Sequence, residues 1–337
     1  MKTNDMITKK AKGFVKNALL IGITGAIFSA PALAKYPERP ISLIIPYDAG
    51  GAADISARSL IQAISSEAPK PIMMSNRTGA GGVTGSAIVA HAKGDGYNML
   101  AARVGTHTVS PAMKDNLPYS LEDFKFAGIY EINPVVCAAS KKSGINSMEE
   151  LIAAVKSQPG TISYSSSGIG TLIQLSAGMV LNSFGIKNPI EEAIHLPMRG
   201  GRGAATALLN GTATFICTNS STLAGFIEND LMVPLLVTSK ERLPGINAPT
   251  ATELGHPELE QLVGWTGIAG PKSLNKEAQD AWSEWLTIAT NNPEFVSRMN
   301  ALGSIIVNYG PKEAEEFINN QYETFRTLVD KLNIRVE

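Results

Sequence analysis

The stretch "IIPYDAGGAADISARSL", residues 44–60, fixes how the rest of the chain is read. An apolar run ends at Pro46, two glycines follow at Gly50 and Gly51, and Asp54 stands at the head of a helical pattern. A strand that turns through glycines into a helix brings bare backbone N–H groups and the positive end of a helix dipole to one point. Glycine allows a ligand close to that backbone. Asp54, three residues beyond Gly51, either caps the helix or acts from its first turn.

The same plan of apolar strand, glycine-containing loop and helix recurs twice: in "YSSSGIGTLIQLSAG" (164–178) and in "HLPMRGGRGAATALLNG" (195–211). Ser165, Ser166, Ser167 and Thr171 add hydroxyls around the second helix start. None of the three loops carries a lysine, which favours a carboxylate over a phosphate as the anion held there. In open α/β sheets such loops gather at the carboxyl ends of strands, where ligands bind. One cradle in the first half of the chain and two in the second predict a site shared between two lobes.

Outward from these loops, short apolar runs alternate with amphipathic stretches. Strands are expected at 41–46, 71–75, 98–102, 134–139, 161–166, 193–197, 213–217 and 232–238. Helices are expected at 54–66, 83–92, 147–157, 171–184, 202–210 and 221–229. Runs this apolar, alternating with helices through most of the length, predict an α/β fold with mainly parallel sheets flanked by helices. A last helix opens at Pro311, with an apolar stripe through Phe317, Tyr322, Phe325, Leu328, Val329 and Leu332.

The chain begins with Lys2, Lys9, Lys10, Lys12 and Lys16, an apolar run over 18–28, and Ala32-Leu33-Ala34. This is the pattern of a secretory signal peptide cleaved after Ala34; the apolar run falls short of the ~20 residues a bilayer demands. Removing five lysines and Asp5 from 29 basic and 30 acidic residues leaves 24 and 29, a net charge of −5 over the remaining 303 residues. That balance argues against nucleic acid as a partner. A chain of this size exceeds what one core usually fills, so two lobes are expected.

Enzyme signatures are missing. There is no Gly-x-Ser-x-Gly elbow and no Gly-Lys pair for a Walker A loop. His91, His107, His195 and His256 lack metal-ligand spacing, so no metal is expected. "RTGAGGVTG" (77–85) has Thr84 where a dinucleotide fingerprint needs its third glycine, so no cofactor is expected. Cys137 ("PVVCAA") and Cys217 ("ATFICT") read as small buried hydrophobes, and an oxidising compartment leaves a bridge between them open.

These residues resemble the extracytoplasmic solute-binding proteins of tripartite tricarboxylate transporters, the Bug family. The resemblance rests on "YPERPISLIIPYDAGGAADISAR" (36–58), "NRTGAGGVTGSAIVAHAKGDGYNML" (76–100), "GTHTVSPAMKDNLPYSLEDF" (105–124), "SYSSSGIGTLIQLSAG" (163–178), "HLPMRGGRGAATALLNG" (195–211), "LLVTSKERLPGINAPTATELG" (235–255) and the final "LNIRVE". It implies a type II-like Venus-flytrap fold of two α/β lobes that closes on a small organic carboxylate. The lobes would be residues 35–133 with 262–337, and 134–261, with crossings near 129–135 and 260–266. It further implies a periplasmic receptor, without catalysis, that delivers its ligand to membrane permease subunits of a secondary transporter; a monomer is expected. A receptor that presents ligand to a sensor kinase, or an enzyme acting on a carboxylate, is the alternative.

By the same resemblance, Tyr47, Ala49, Gly50, Gly51 and Asp54 would hold one ligand carboxylate, with Ser165, Ser166, Gly168 and Thr171 opposite. Asp48 and Arg103 depart from the family's usual residues, and would either tune the ligand's far end or be surface variation. Thr106 and His107 of the "GTH" segment complete the candidate set, together with the loop arginines Arg199 and Arg202.

Overall fold

The computed structural model describes residues 36–332 and 334–335. The expected signal peptide, residues 1–34 with cleavage after Ala34, lies outside the described residues. Strand β1 (Ile41–Ile45) pairs in parallel with β2 (Ile72–Asn76) and with β3 (Asn98–Arg103). Helix α1 (Ala52–Ala63) follows β1, and α2 (Val83–Ala90) follows β2. In the second half of the molecule, β5 (Ser163–Ser166) pairs in parallel with β6 (Ile194–Pro197) and β7 (Phe215–Asn219). Its helices are α3 (Met148–Ser157), α4 (Leu172–Ser183), α5 (Gly200–Leu209) and α6 (Ser220–Glu228). Each of these helices starts and ends within three residues of its expected place.

One long strand joins the halves. Strand β4 (Phe124–Ser140) runs antiparallel to β9 (Val263–Pro271) over its first part and to β7 over its last. The exchange falls between neighbouring residues: Pro134 is the Cα partner of Val263, and Val135 that of Asn219. Proline has no N–H to give a ladder, so it is tolerated where β4 changes partners. Strands β8 (Met232–Val237) and β10 (Ile305–Tyr309) also pair antiparallel with β4, giving the order β2-β1-β3-β9-β4-β7-β5-β6. The mainly parallel arrangement expected from the sequence is therefore mixed: parallel within each half and antiparallel wherever β4 or β9 takes part.

Among the longer elements, β10, α7 (Lys276–Thr290) and α8 (Pro293–Ala301) carried no expectation, and β9 carried only the crossing expected near 260–266. Strand β9 reads VGWTGIAGP, and its glycines mask it. Gly267 is needed, because a Cβ there would collide with the Gly128 carbonyl oxygen of β4. The final helix, α9 (Pro311–Leu332), buries Ala314, Ile318, Gln321, Phe325, Val329 and Leu332. Phe317, Tyr322 and Leu328 of the expected stripe lie at its margin, half-buried. Gln321 belongs to the buried face because it binds inward: its Oε1 accepts from Trp265 Nε1 (2.8 Å) and Thr108 Oγ1 (3.0 Å), and its Nε2 donates to the Val263 carbonyl (2.9 Å).

Cys137 and Cys217 are Cα partners on β4 and β7, fully buried, and joined as a disulfide. The bridge left open by the sequence is formed, across a separation of 80 residues.

The two traversing segments are tied together by Thr238. Its hydroxyl accepts from the Val135 N–H (2.8 Å) and donates to the Leu262 carbonyl (2.8 Å), and the residue is fully buried. A Thr238→Val substitution keeps the shape and strands both backbone groups, which costs about 1–3 kcal/mol. Urea denaturation should show that loss with an unchanged slope; an unchanged midpoint would mean that the hydroxyl ties nothing.

Candidate functional site

The glycine loop is held by Asp54. Gly50 adopts φ +75°, a left-handed conformation natural to glycine, and its N–H donates to Asp54 Oδ2 at 2.9 Å. Arg58 Nε reaches the same oxygen at 2.8 Å, and Asn76 Nδ2 reaches Oδ1 at 3.0 Å. The Arg58 hydrogen bond, with those of Gly50 and Asn76, draws the Asp54 pKa down to about 2. With every acceptor engaged inside the protein and only 3% of its surface exposed, Asp54 braces the loop and does not face the cleft.

The braced loop ends at Gly51, which opens α1 without any side-chain cap. Helices α5 and α6, starting after Arg199 and Asn219, are likewise uncapped by side chains. First-turn residues of all three helices line one cleft of about 430 Å³: Ala52 of α1, Gly201 and Arg202 of α5, and Ser221 and Thr222 of α6. Uncapped helix starts expose N–H donors and partial positive charge. Three of them, from both halves of the molecule, therefore meet in one cavity.

Further polar lining comes from the sheet. Arg103 at the end of β3 is only 7% exposed, and among the described residues its guanidinium joins no hydrogen bond or ion pair. Glu131 and Asn133 of β4 also line the cleft and are almost fully buried. Asn133 Nδ2 and the buried Ser221 Oγ have no hydrogen-bond partner. Buried polar groups are ordinarily satisfied, so a cluster of unsatisfied ones around a cavity marks a place for a ligand. Ile55, Phe226, Met299 and Leu302 supply the apolar wall.

A larger groove, about 1370 Å³, runs between residues 111–126 and α9, away from the glycine loops. Arg326 there lies 3.4 Å from Asp115, and Asp123 accepts from Ser120. It offers no buried unpaired charge comparable to Arg103.

The Tripartite tricarboxylate transporter family receptor model matches residues 56–334 of the chain. The protein belongs to this family. It has the two-lobe fold of the periplasmic binding protein BugD, whose structure matches with a TM-score of 0.77 at 27% identity, covering 90% of this chain and 100% of that one. Two Rhodopseudomonas palustris proteins share the fold. MatC with bound malate has TM-score 0.76 at 22% identity, over 87% of this chain and 100% of that one. A second, with adipate, has TM-score 0.79 at 20% identity, over 89% and 99%.

Within this family receptor, the sequence-derived candidates separate into distinct groups. Gly50, Gly51, Arg103 and Arg202 line the cleft. Asp48 and Ala49 sit exposed at the loop tip, and Arg199 is exposed at the start of α5. Tyr47 is half-buried and its phenol pKa is raised by desolvation. The Ser-rich loop beside α5 turns its hydroxyls inward: Ser165 donates to the Ala204 carbonyl (2.9 Å), and Ser166 and Thr171 both donate to the Gly168 carbonyl (2.9 and 2.8 Å). His195 Nε2 lies 2.6 Å from Ser166 Oγ. With the Ser166 proton already given to Gly168, the imidazole is the donor there, and the pair is no activated nucleophile.

Thr106 and His107 lie in the core and do not line the cleft. A π-helical turn over Gly105–Val109 winds them inward. The His107 ring packs against Phe124 at 4.5 Å, Phe126 at 5.6 Å and Trp265 at 6.1 Å. Glu131, Asn133, Ser221 and Thr222 went unnoticed in the sequence. The signal was Glu131 with Asn133, two polar residues inside the otherwise apolar run "AGIYEINPVV".

Burial pushes the His107 pKa down to about 4 from an ordinary 6.5. The folded state thus holds the ring neutral, and its contribution to stability is fully present above pH 6.5 and lost as pH falls towards 4. The shift corresponds to about 3 kcal/mol. Chemical denaturation at pH 7, 5.5 and 4 should show a steeper acid loss for the wild type than for His107→Gln; parallel profiles would contradict it.

Proposed function

We propose that the protein is a periplasmic receptor that captures a small organic carboxylate between its lobes and delivers it to membrane permease subunits of a tripartite tricarboxylate-type secondary transporter. The observation that carries this reading is the convergence of three uncapped helix starts and the unpaired, buried Arg103 on one 430 Å³ cleft. Such a cavity attracts an anion, and a planar guanidinium grips a carboxylate with two parallel hydrogen bonds. The malate and adipate held by the R. palustris relatives are small carboxylates of this kind. In this reading the lobes comprise 35–133 with 262–337, and 134–261, which accords with the partner exchange of β4 at Pro134 and Val135. The receptor acts as a monomer and catalyses nothing; Ser166 and His195, the Ser–His pair beside α5, are committed to holding their own loop.

Binding of organic acids measured by calorimetry tests the anchor. Arg103→Ala should cost about 2–5 kcal/mol of affinity, because it leaves a buried ligand carboxylate unpaired. Arg199→Ala, at an exposed position, should cost almost nothing. Equal affinities in the wild type and Arg103→Ala would remove Arg103 from the site.

Closure gives an independent check. Helices α5 and α6 belong to one lobe, α1 and Arg103 to the other, so a shared ligand draws the two together. Small-angle scattering should report a smaller radius of gyration at saturating ligand. Superimposable curves with and without ligand would argue against capture by closure.

A further inference from the structure

The cleft presents an acceptor as well as donors, and the acceptor narrows the ligand. Arg103 of β3, Thr266 of β9 and Glu131 of β4 are Cα partners in a row across three adjacent strands. Residues directly opposite in neighbouring strands project from the same face. With strands ~4.8 Å apart, the Arg103 and Glu131 backbones are about 10 Å apart, and no ion pair joins their side chains among the described residues. Both line the cavity.

One oxygen of Glu131 is structural. Oε1 accepts from Ser56 Oγ at 2.6 Å and from Thr266 Oγ1 at 2.5 Å, and the Ser56 hydroxyl in turn meets Tyr130 at 2.8 Å. These bonds fix the carboxyl group in place. The other oxygen, Oε2, accepts no hydrogen bond from the described residues, although the residue is only 1% exposed. Nearby, Asn133 Nδ2 and Ser221 Oγ are also unpartnered.

We infer that the ligand is a small carboxylate that also carries a hydrogen-bond donor, an ammonium or a hydroxyl group, and that Glu131 is the residue selecting it. The inference rests on the carboxylate reading above and deepens it. Arg103 and the helix starts take the ligand's carboxylate, while Glu131 Oε2 takes its donor. A plain alkanoate or dicarboxylate of the same length would leave Glu131 buried without a partner or facing a second anion, and both are unfavourable. A site built around a buried polar group discriminates strongly against the analogue that cannot pair with it.

The test is a set of matched acids differing only in the donor: propionate, lactate and alanine; succinate, malate and aspartate; glutarate, 2-hydroxyglutarate and glutamate; phenylacetate, mandelate and phenylglycine. Calorimetry on the wild type should find, in whichever set binds, a donor-bearing member at least ~10-fold tighter than the plain acid. The winning member tells ammonium from hydroxyl. Glu131→Leu should erase the preference; Glu131→Gln, whose carbonyl oxygen keeps the bonds from Ser56 and Thr266 and so turns its NH2 to the cleft, should erase it for an ammonium and spare it for a hydroxyl, which accepts as well as donates. If Glu131→Leu does not fold, the wild-type ranking and the Gln variant decide. A plain acid bound as tightly as its donor-bearing counterparts, or a preference that survives Glu131→Leu, overturns the inference while leaving carboxylate capture standing. Binding of no acid in any set overturns carboxylate capture itself.

Discussion

Strand β4 must satisfy two sheets in succession, and most of the architecture follows from how it does so. Its ladder to β9 ends at Pro134 and its ladder to β7 begins at Val135, so the exchange of partners occupies a single peptide unit. Thr238 bridges that point to Leu262, next to the second traverse. Two of the residues that line the cleft from the sheet side, Glu131 and Asn133, stand on β4 just before the exchange. A cavity formed there is walled by both lobes and floored by the strand they share.

The charged groups around this cavity fall into two kinds, and the difference is one of satisfaction more than of position. Asp54 and the Ser-rich loop spend their hydrogen bonds on partners within the protein. Arg103, Asn133 and one oxygen of Glu131 are equally buried but incompletely paired. Burial without partners is unfavourable in the empty protein, and a ligand that supplies the partners recovers that energy on binding. The braces hold the helix starts in position beforehand, so little ordering cost remains when the anion arrives.

Much of the local structure was legible. The apolar runs located eight strands, and the glycine loops located the helix starts, because both depend on short-range patterns. Strand β9 was not legible, since its glycines serve a close approach to Gly128 that only pairing with β4 creates. The inward face of α9 was misjudged for a similar reason: Gln321 looks solvent-facing until Trp265, Thr108 and the Val263 carbonyl surround it. Thr106 and His107 followed a strand end, as site residues often do, yet the π-helical turn carried them into the aromatic core.

The sequence by itself determined the alternation of strands and helices and the three glycine-bearing helix starts. Those properties reside in contiguous residues, where propensity, patterning and the peptide dipole act over one or two turns. The tertiary structure alone decided which charges are spent and which remain available. Asn76 completes the bracing of Asp54 by Gly50 and Arg58, and it reaches the carboxylate because β1 and β2 pair Ile45 with Asn76. Glu131 becomes the cleft's acceptor because β9 sets Thr266 between it and Arg103. Hydrogen-bond satisfaction depends on partners brought together from distant parts of the chain, so it emerges only once the sheet has its register.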